Sequence, residues 1–203
     1  MHWADFAAQT LSNRGDKHII ASGITPSGEF HIGHLREILT GDMVTKACIN
    51  AGMEAEFVFI VDSADPLRKV YPFLSDEYEK YIGCPLATIP APDANGRPGT
   101  DGRNYAQHFL EPFLAALEQI DVRPRIIDNY TSYANGEFAL RSKIACEKAT
   151  EIREIIERVS GRELAPSWFP FNPYGHNGGL SRPASRGYWM GKLLRYDSRA
   201  SSC

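Results

Sequence analysis

The sequence predicts an α/β domain, a parallel sheet layered between helices, and three features carry the prediction. Residues 18–22 (HIIAS) form a short apolar run closed by Gly23. Residues 57–61 (FVFIV) form a second, fully apolar run that ends at Asp62. Between them, Leu35, Leu39, Met43, Ala47 and Ala51 recur every fourth residue, the spacing of one helix face. Two buried strands joined by a helical crossover make the βαβ unit of a parallel sheet. A three-layer arrangement follows, with 18–22 and 57–61 adjacent and parallel.

The other elements are read in chain order. Pro26 and Gly28 forbid a continuous helix between the first strand and Gly33, so 24–30 is a loop. Gly52 stops the helix. Ser75 caps a short helix that runs to Ile82 and is closed by Gly83. Residues 84–102 hold Pro85, Pro90, Pro92, Gly96, Pro98, Gly99 and Gly102, and read as a loop or inserted excursion. Residues 105–120 read as a helix, with Pro112 near its start or kinking it. Residues 125–128 read as a third strand. Residues 136–160 read as one long helix with an apolar stripe of Ala145, Ala149, Ile152, Ile156 and Val159 and a solvated charged face. An aromatic, proline-rich loop follows at 168–176. The expected organisation is the first half of a Rossmann-like domain over 1–74, a mostly helical insertion with continuing domain elements over 75–180, and an atypical basic tail over 181–203.

Composition excludes several classes. Of 203 residues, 43% are hydrophobic and 23% charged, which fits an ordinary globular domain rather than a disordered chain. The 22 basic and 25 acidic side chains leave a net charge of -3, so the whole surface is not built for nucleic acid. No apolar run approaches the ~18 residues of a membrane helix, and the start, Met1-His2-Trp3-Ala4-Asp5, has no signal-peptide pattern. Cys48, Cys84, Cys146 and Cys203 form no close pair. They suit free thiols in a reducing cytoplasm, and a zinc site is not expected.

The informative stretch is Thr25-Pro26-Ser27-Gly28-Glu29-Phe30-His31-Ile32-Gly33-His34. It places two histidines and a glycine where a helix begins, just after a parallel strand. Free N–H groups and the helix dipole make such an end an anion site. Gly33 allows close approach to the backbone, and His31 and His34 can both donate towards a polyphosphate. Ligands of open α/β sheets bind beyond the carboxyl ends of the strands, where this loop lies. Neither a P-loop nor a dinucleotide fingerprint is present. Asp62, at the end of the second strand, either meets a substrate ammonium or serves the fold by capping the next turn or pairing with Arg68 or Lys69. His108 and His176 read as structural or surface residues, and Arg36 and Glu37 as supports of the helix's first turn.

Thr25 to His34 resembles the HIGH motif of class I aminoacyl-tRNA synthetases with its Pro-Ser-Gly lead-in. The string Ala21-Ser22-Gly23-Ile24-Thr25-Pro26-Ser27-Gly28 is similar to the class I type of lysyl-tRNA synthetase. So are Val61-Asp62-Ser63-Ala64-Asp65-Pro66-Leu67-Arg68-Lys69-Val70, His2-Trp3-Ala4-Asp5 and Tyr81-Ile82-Gly83-Cys84-Pro85. The resemblance runs from about residue 2 to about residue 180. It implies a Rossmann-like nucleotide-binding core that activates lysine with ATP and passes it to tRNA(Lys). His31 and His34 would be the catalytic pair. Pro26, Ser27, Gly28, His31, Gly33 and His34 would line ATP, and Gly23, Thr25 and Asp62 the lysine. Mg2+ would accompany ATP without a protein cage, and a monomer is expected.

The sequence also departs from that family. No Lys-Met-Ser-Lys-Ser-like second motif is present, and Trp189-Met190-Gly191-Lys192 does not match it. The expectation is therefore an N-terminal part of the enzyme, incomplete and inactive by itself. Two rival readings are an HxGH nucleotidylyltransferase or pantothenate-synthetase-like ligase, and a non-catalytic remnant that binds nucleotide or tRNA. A synthetase for glutamate or arginine is a nearer rival. Residues 181–203 carry Arg182, Arg186, Lys192, Arg195 and Arg199 against Asp197 alone, a net of +4. This shift suggests a foreign or out-of-frame ending, with a genuine tRNA-contacting tail as the alternative.

Overall fold

The computed structural model describes residues 1–166 and 168–170. His176, most of the 168–176 loop and the whole 181–203 tail lie outside the described residues. The elements are α1 (Trp3–Ser12), β1 (Lys17–Ile24), α2 (Ile32–Asn50), β2 (Glu54–Val61), α3 (Tyr105–Gln119), β3 (Arg125–Asp128), α4 (Asn129–Ala134), α5 (Ala139–Glu147) and α6 (Ala149–Ser160). The three strands form one parallel sheet in the order β1-β2-β3. Ile24, Val61 and Asp128, the last residues of the strands, stand side by side. The α/β parallel-sheet architecture is thus as expected, with 18–22 and 57–61 adjacent and parallel.

The two faces of the sheet are covered unequally. Ile20, Ile24, Phe57, Phe59 and Val61 alternate onto one sheet face, and that face alone feeds the main core. Both Ile38 of α2 and Phe113 and Leu117 of α3 pack there. On the opposite face Ile19 is 64% exposed and Ala21 and Gly23 are also exposed. Val58 of β2, on that same face, is buried at 3% exposure, so the face is covered along β2 and open along β1.

Helix α2 follows its expected span, but its buried side is Ile38, Thr45, Ala47 and Cys48. Met43 and Ala51 are exposed. The apolar i+4 series drifts around a 3.6-residue turn, so only part of it can face the sheet. The core settles on the drifted stripe, where Gly41 admits the Phe57 ring. The α1 helix packs on the far end of α2, through Ala4, Ala8, Ala47, Cys48 and Met53.

Residues 62–104 contain little regular structure, but they are not a free loop. The segment expected as a short helix is a 3-10 turn, Asp76–Tyr81, and Ser75 at its start makes no side-chain cap. A second core joins Leu67, Leu74, Tyr78, Leu86 and Ile89 to Tyr105 and Phe109 of α3. Pro112 sits inside α3 rather than at its start. The single helix expected over 136–160 is two, α5 and α6, parted at Lys148 (φ -101, ψ 20). Neither buries a residue fully, and Val159 of the expected stripe is 77% exposed. No described helix is long and apolar enough to cross a membrane.

Candidate functional site

The site is built where the three strands end. β1 ends at Ile24, and the chain turns through Thr25 and Ser27, whose N–H bonds back to the Thr25 carbonyl at 2.8 Å. Pro26 is fully buried beneath the loop. The phenol of Tyr105 donates to the Ser27 carbonyl at 2.8 Å, tying the loop to α3. Burial holds that phenol protonated, with its pKa well above the usual tyrosine value. The Phe73 ring lies over Gly28, at 3.4 Å from where a Cβ would stand.

The α2 helix opens with a capping box made by two histidines. His31 Nδ1 accepts from the Gly33 N–H at 3.1 Å, and His34 Nδ1 accepts from the His31 N–H at 3.1 Å. Two otherwise unpaired N–H groups of the helix start are thereby satisfied. The rings stack, with centroids 3.9 Å apart, and Phe30 closes on His34 at 5.1 Å. A nitrogen that accepts a backbone N–H carries no proton, so in each neutral ring the proton sits on Nε2. Capping thus turns both side chains into Nε2–H donors at the positive end of a helix. The pKa of His34 is lowered by burial first and by His31 second, with Glu37 opposing. That keeps the ring in the neutral form the cap requires.

Gly33 leaves room for the His31 ring. A Cβ there would stand 2.8 Å from His31 Cε1 and 2.9 Å from His31 Nδ1. The His31 ring fills the space that a side chain at position 33 would take. Glu37 accepts from Ser22 at 2.6 Å, which ties the first turns of α2 to β1. His108 packs edge-on against Phe109, and its buried Nδ1 has no partner among the described residues.

Beside this helix end lies a carboxylate pair. Asp62 follows β2, and its N–H bonds to the Ile24 carbonyl at 3.0 Å. Its Oδ2 would be 3.4 Å from a Cβ on Gly23, so the bare glycine backbone faces that oxygen. Asp65 accepts from the Thr25 hydroxyl at 2.7 Å and from Arg68 at 3.4 Å. Arg68 therefore pairs with Asp65 and not with Asp62. The Asp62 carboxyl is pushed up by burial and by the charge of Asp65, and drawn down by a hydrogen bond from Asn129. Thr25, having given its proton to Asp65, turns only oxygen lone pairs to a ligand. The arrangement can accept hydrogen bonds from cationic groups at Asp62 and Thr25 and donate them to anionic groups at the histidines.

Gly23, Thr25 and Asp62 thus come together, and Ser27, Gly28, His31, Gly33 and His34 line the adjoining loop and helix start. Sequence reading missed Asp65, Tyr105, Asp128 and Asn129. No local pattern signals Asn129, which reaches Asp62 across 67 positions. Among the described residues no three or more His, Cys, Asp or Glu side chains converge as a metal cage.

Residues 1–197 match the family model described as tRNA synthetases class I (K). The chain is 43% identical to a lysine–tRNA ligase of Methanosarcina barkeri over 173 residues, 85% of this chain and 31% of that protein. It is 44% identical to the lysine–tRNA ligase of Archaeoglobus fulgidus over 179 residues, 88% of this chain and 35% of the relative. The lysine–tRNA ligase of Methanocaldococcus jannaschii aligns over 200 residues at 40% identity, 98% of this chain and 35% of the relative. The chain spans about a third of the length of these curated relatives. The family match continues past Leu180 to residue 197, and this continuity runs against a foreign origin for residues 181–197.

Proposed function

This chain belongs to the class I tRNA synthetases of the K family, and from that premise we propose that it carries the ATP- and lysine-binding part of a lysine–tRNA ligase. The activity is adenylation followed by transfer. The lysine carboxylate attacks the α-phosphate of ATP in line, pyrophosphate leaves, and the lysyl group passes to the 3′ end of tRNA(Lys). In such a displacement the protein mainly orients reactants and stabilises developing charge.

The observation that carries this reading is the double histidine cap. His31 and His34 would donate their Nε2–H groups to phosphate oxygens as negative charge builds during attack. The dipole of α2, positive at this end, adds to the same field. Pro26, Ser27 and Gly28 would shape the loop along the nucleotide, and Phe73 and Tyr105 would hold that loop in place. Asp62 and Thr25, with Gly23 between them, would receive lysine ammonium groups as hydrogen-bond acceptors. A divalent ion would arrive on the phosphates of ATP and needs no dedicated protein cage. The setting we propose is a cytoplasmic monomer.

Lysine-driven ATP–pyrophosphate exchange tests the reading in a protein of the relatives' length that carries these residues. Exchange should start with lysine and fail with glutamate, arginine, pantoate or a nucleoside monophosphate. Replacing His31 or His34 by Ala should slow it by roughly 10²–10³, as for the loss of one donor to a developing charge. Exchange driven by another amino acid and not by lysine would overturn the assignment.

A further inference from the structure

We propose that Asn129 is a positioning residue for amino-acid recognition, holding the Asp62 carboxylate so that Oδ2 faces the ammonium site over Gly23. The proposal rests on the reading of Asp62 as the acceptor of a substrate ammonium.

The geometry gives Asn129 little freedom. It is the first residue of α4, directly after β3. Its Oδ1 accepts from the Ala64 N–H at 2.8 Å. A backbone N–H can only donate, so the amide oxygen must lie on that side. The Nδ2 group then points the other way and donates to Asp62 Oδ1 at 2.8 Å. The amide cannot flip without setting donor against donor at Ala64 and acceptor against acceptor at Asp62.

The base under Asn129 is also tied down. Ser63, 1% exposed, donates to Asp128 Oδ2, and Asp128 Oδ1 caps α4 by accepting from the Thr131 N–H at 2.8 Å. The turn after β2 and the turn after β3 are therefore laced together directly beneath the carboxylate. Asn129 acts on Asp62 in two ways. It occupies Oδ1, which leaves Oδ2 as the oxygen turned to the open space at Gly23. It also supplies a donor to a half-buried carboxylate that burial and Asp65 both disfavour as an anion. An Asp62 that became neutral or rotated would lose its pull on an ammonium.

Two variants of this chain test the proposal. Asn129→Asp is isosteric and keeps an oxygen for the Ala64 N–H, but it faces Asp62 with a carboxylate. Asn129→Ala removes both contacts. L-lysine and ATP binding are measured separately by calorimetry, and the Asp62 carboxyl is titrated by ¹³C NMR. Both variants should weaken lysine roughly 10-fold or more, in line with the loss of a hydrogen bond to a charged group. They should leave ATP affinity within about twofold and move the Asp62 titration upward. A general structural defect would weaken both ligands together. If Asn129→Ala does not fold, Asn129→Asp carries the test. An unmoved Asp62 titration in a folded variant overturns the positioning role, whatever lysine does. Should the unmutated chain bind no lysine while the titration moves, the ammonium reading of Asp62 fails and the hold of Asn129 on Asp62 stands. Equal losses of lysine and ATP affinity also overturn the proposal.

Discussion

His31 and His34 lie ring on ring, 3.9 Å between centroids, each with its Nδ1 spent on a backbone N–H at the start of α2. The pair therefore has two tasks that substitution can separate. Ser accepts a backbone N–H at a helix start nearly as well as any residue, whereas Ala cannot. His31→Ala should cost about 0.5–2 kcal/mol of stability through the lost cap. His31→Ser should recover most of that loss. Both should weaken ATP binding alike, because both lack the Nε2–H donor. Thermal melts and ATP titrations of the two variants make the comparison. A Ser variant that binds ATP like the parent would show that the ring caps the helix and does nothing more.

The cap also predicts a pH response. Burial and His31 lower the His34 pKa from its ordinary 6.5. The folded chain therefore holds the neutral ring, while the unfolded chain takes up a proton as pH drops below 6.5. Stability from this group is fully present above pH 6.5, and it is lost as pH falls from there through the lower folded value. Asp62 acts in the opposite sense and in a more acidic window. Its raised carboxyl pKa adds stability below its ordinary 3.8, and this is lost as pH rises through the folded value. Melting midpoints between pH 5 and 8 should fall towards acid in the parent and change less in His34→Asn. Parallel profiles for the two proteins would remove His34 as the source.

Close packing at Gly41 gives a prediction about the core. A Cβ there would stand 2.4 Å from Cε2 and 2.7 Å from Cζ of Phe57. Phe57 is buried on β2 in the main core, so its ring cannot swing aside freely. Gly41→Ala should destabilise the chain by about 1–3 kcal/mol. That exceeds the ~1 kcal/mol by which Ala is the better helix former. Urea unfolding is the measurement, and a midpoint equal to or above the parent's would contradict the packing argument.

What was legible in the sequence follows from how local each signal is. β2 announced itself by five consecutive apolar residues, and the histidine-glycine pair by its place after a strand. The α1 helix went unread although His2 and Asp5 form its capping box, because His is not among the usual N-cap residues. The break at Lys148 went unread because no Gly or Pro marks it. β1 was expected as a buried strand, yet it alternates between covered and open faces. Both faces carry apolar residues, Ile20 and Ile24 on one and Ile19 and Ala21 on the other, and only the packing decides which face is covered. The network of Asp62, Ser63, Asp128 and Asn129 was out of reach for another reason. It forms only when β3 pairs with β2, and nothing in either segment alone points to the other.

The last prediction turns on Gly23. Its backbone is ordinary strand, and a Cβ would meet Asp62 Oδ2 at 3.4 Å, the Ile60 carbonyl at 3.7 Å and Ile60 Cβ at 3.8 Å. Those are normal contact distances, and the residue is exposed. Gly23→Ala should therefore change stability by no more than about 0.5 kcal/mol. The same methyl would stand in the space in front of the free oxygen of Asp62. An ammonium must come within ~2.9 Å of a carboxylate oxygen to make a strong hydrogen bond. A methyl in contact with that oxygen forces the ammonium off line or away. Lysine affinity should drop roughly 10-fold or more, with ATP affinity and melting temperature close to the parent's. Calorimetry with each ligand and one thermal melt decide the matter. If the Ala variant binds lysine as the parent does, the open oxygen of Asp62 does not face the substrate, and lysine must be held elsewhere.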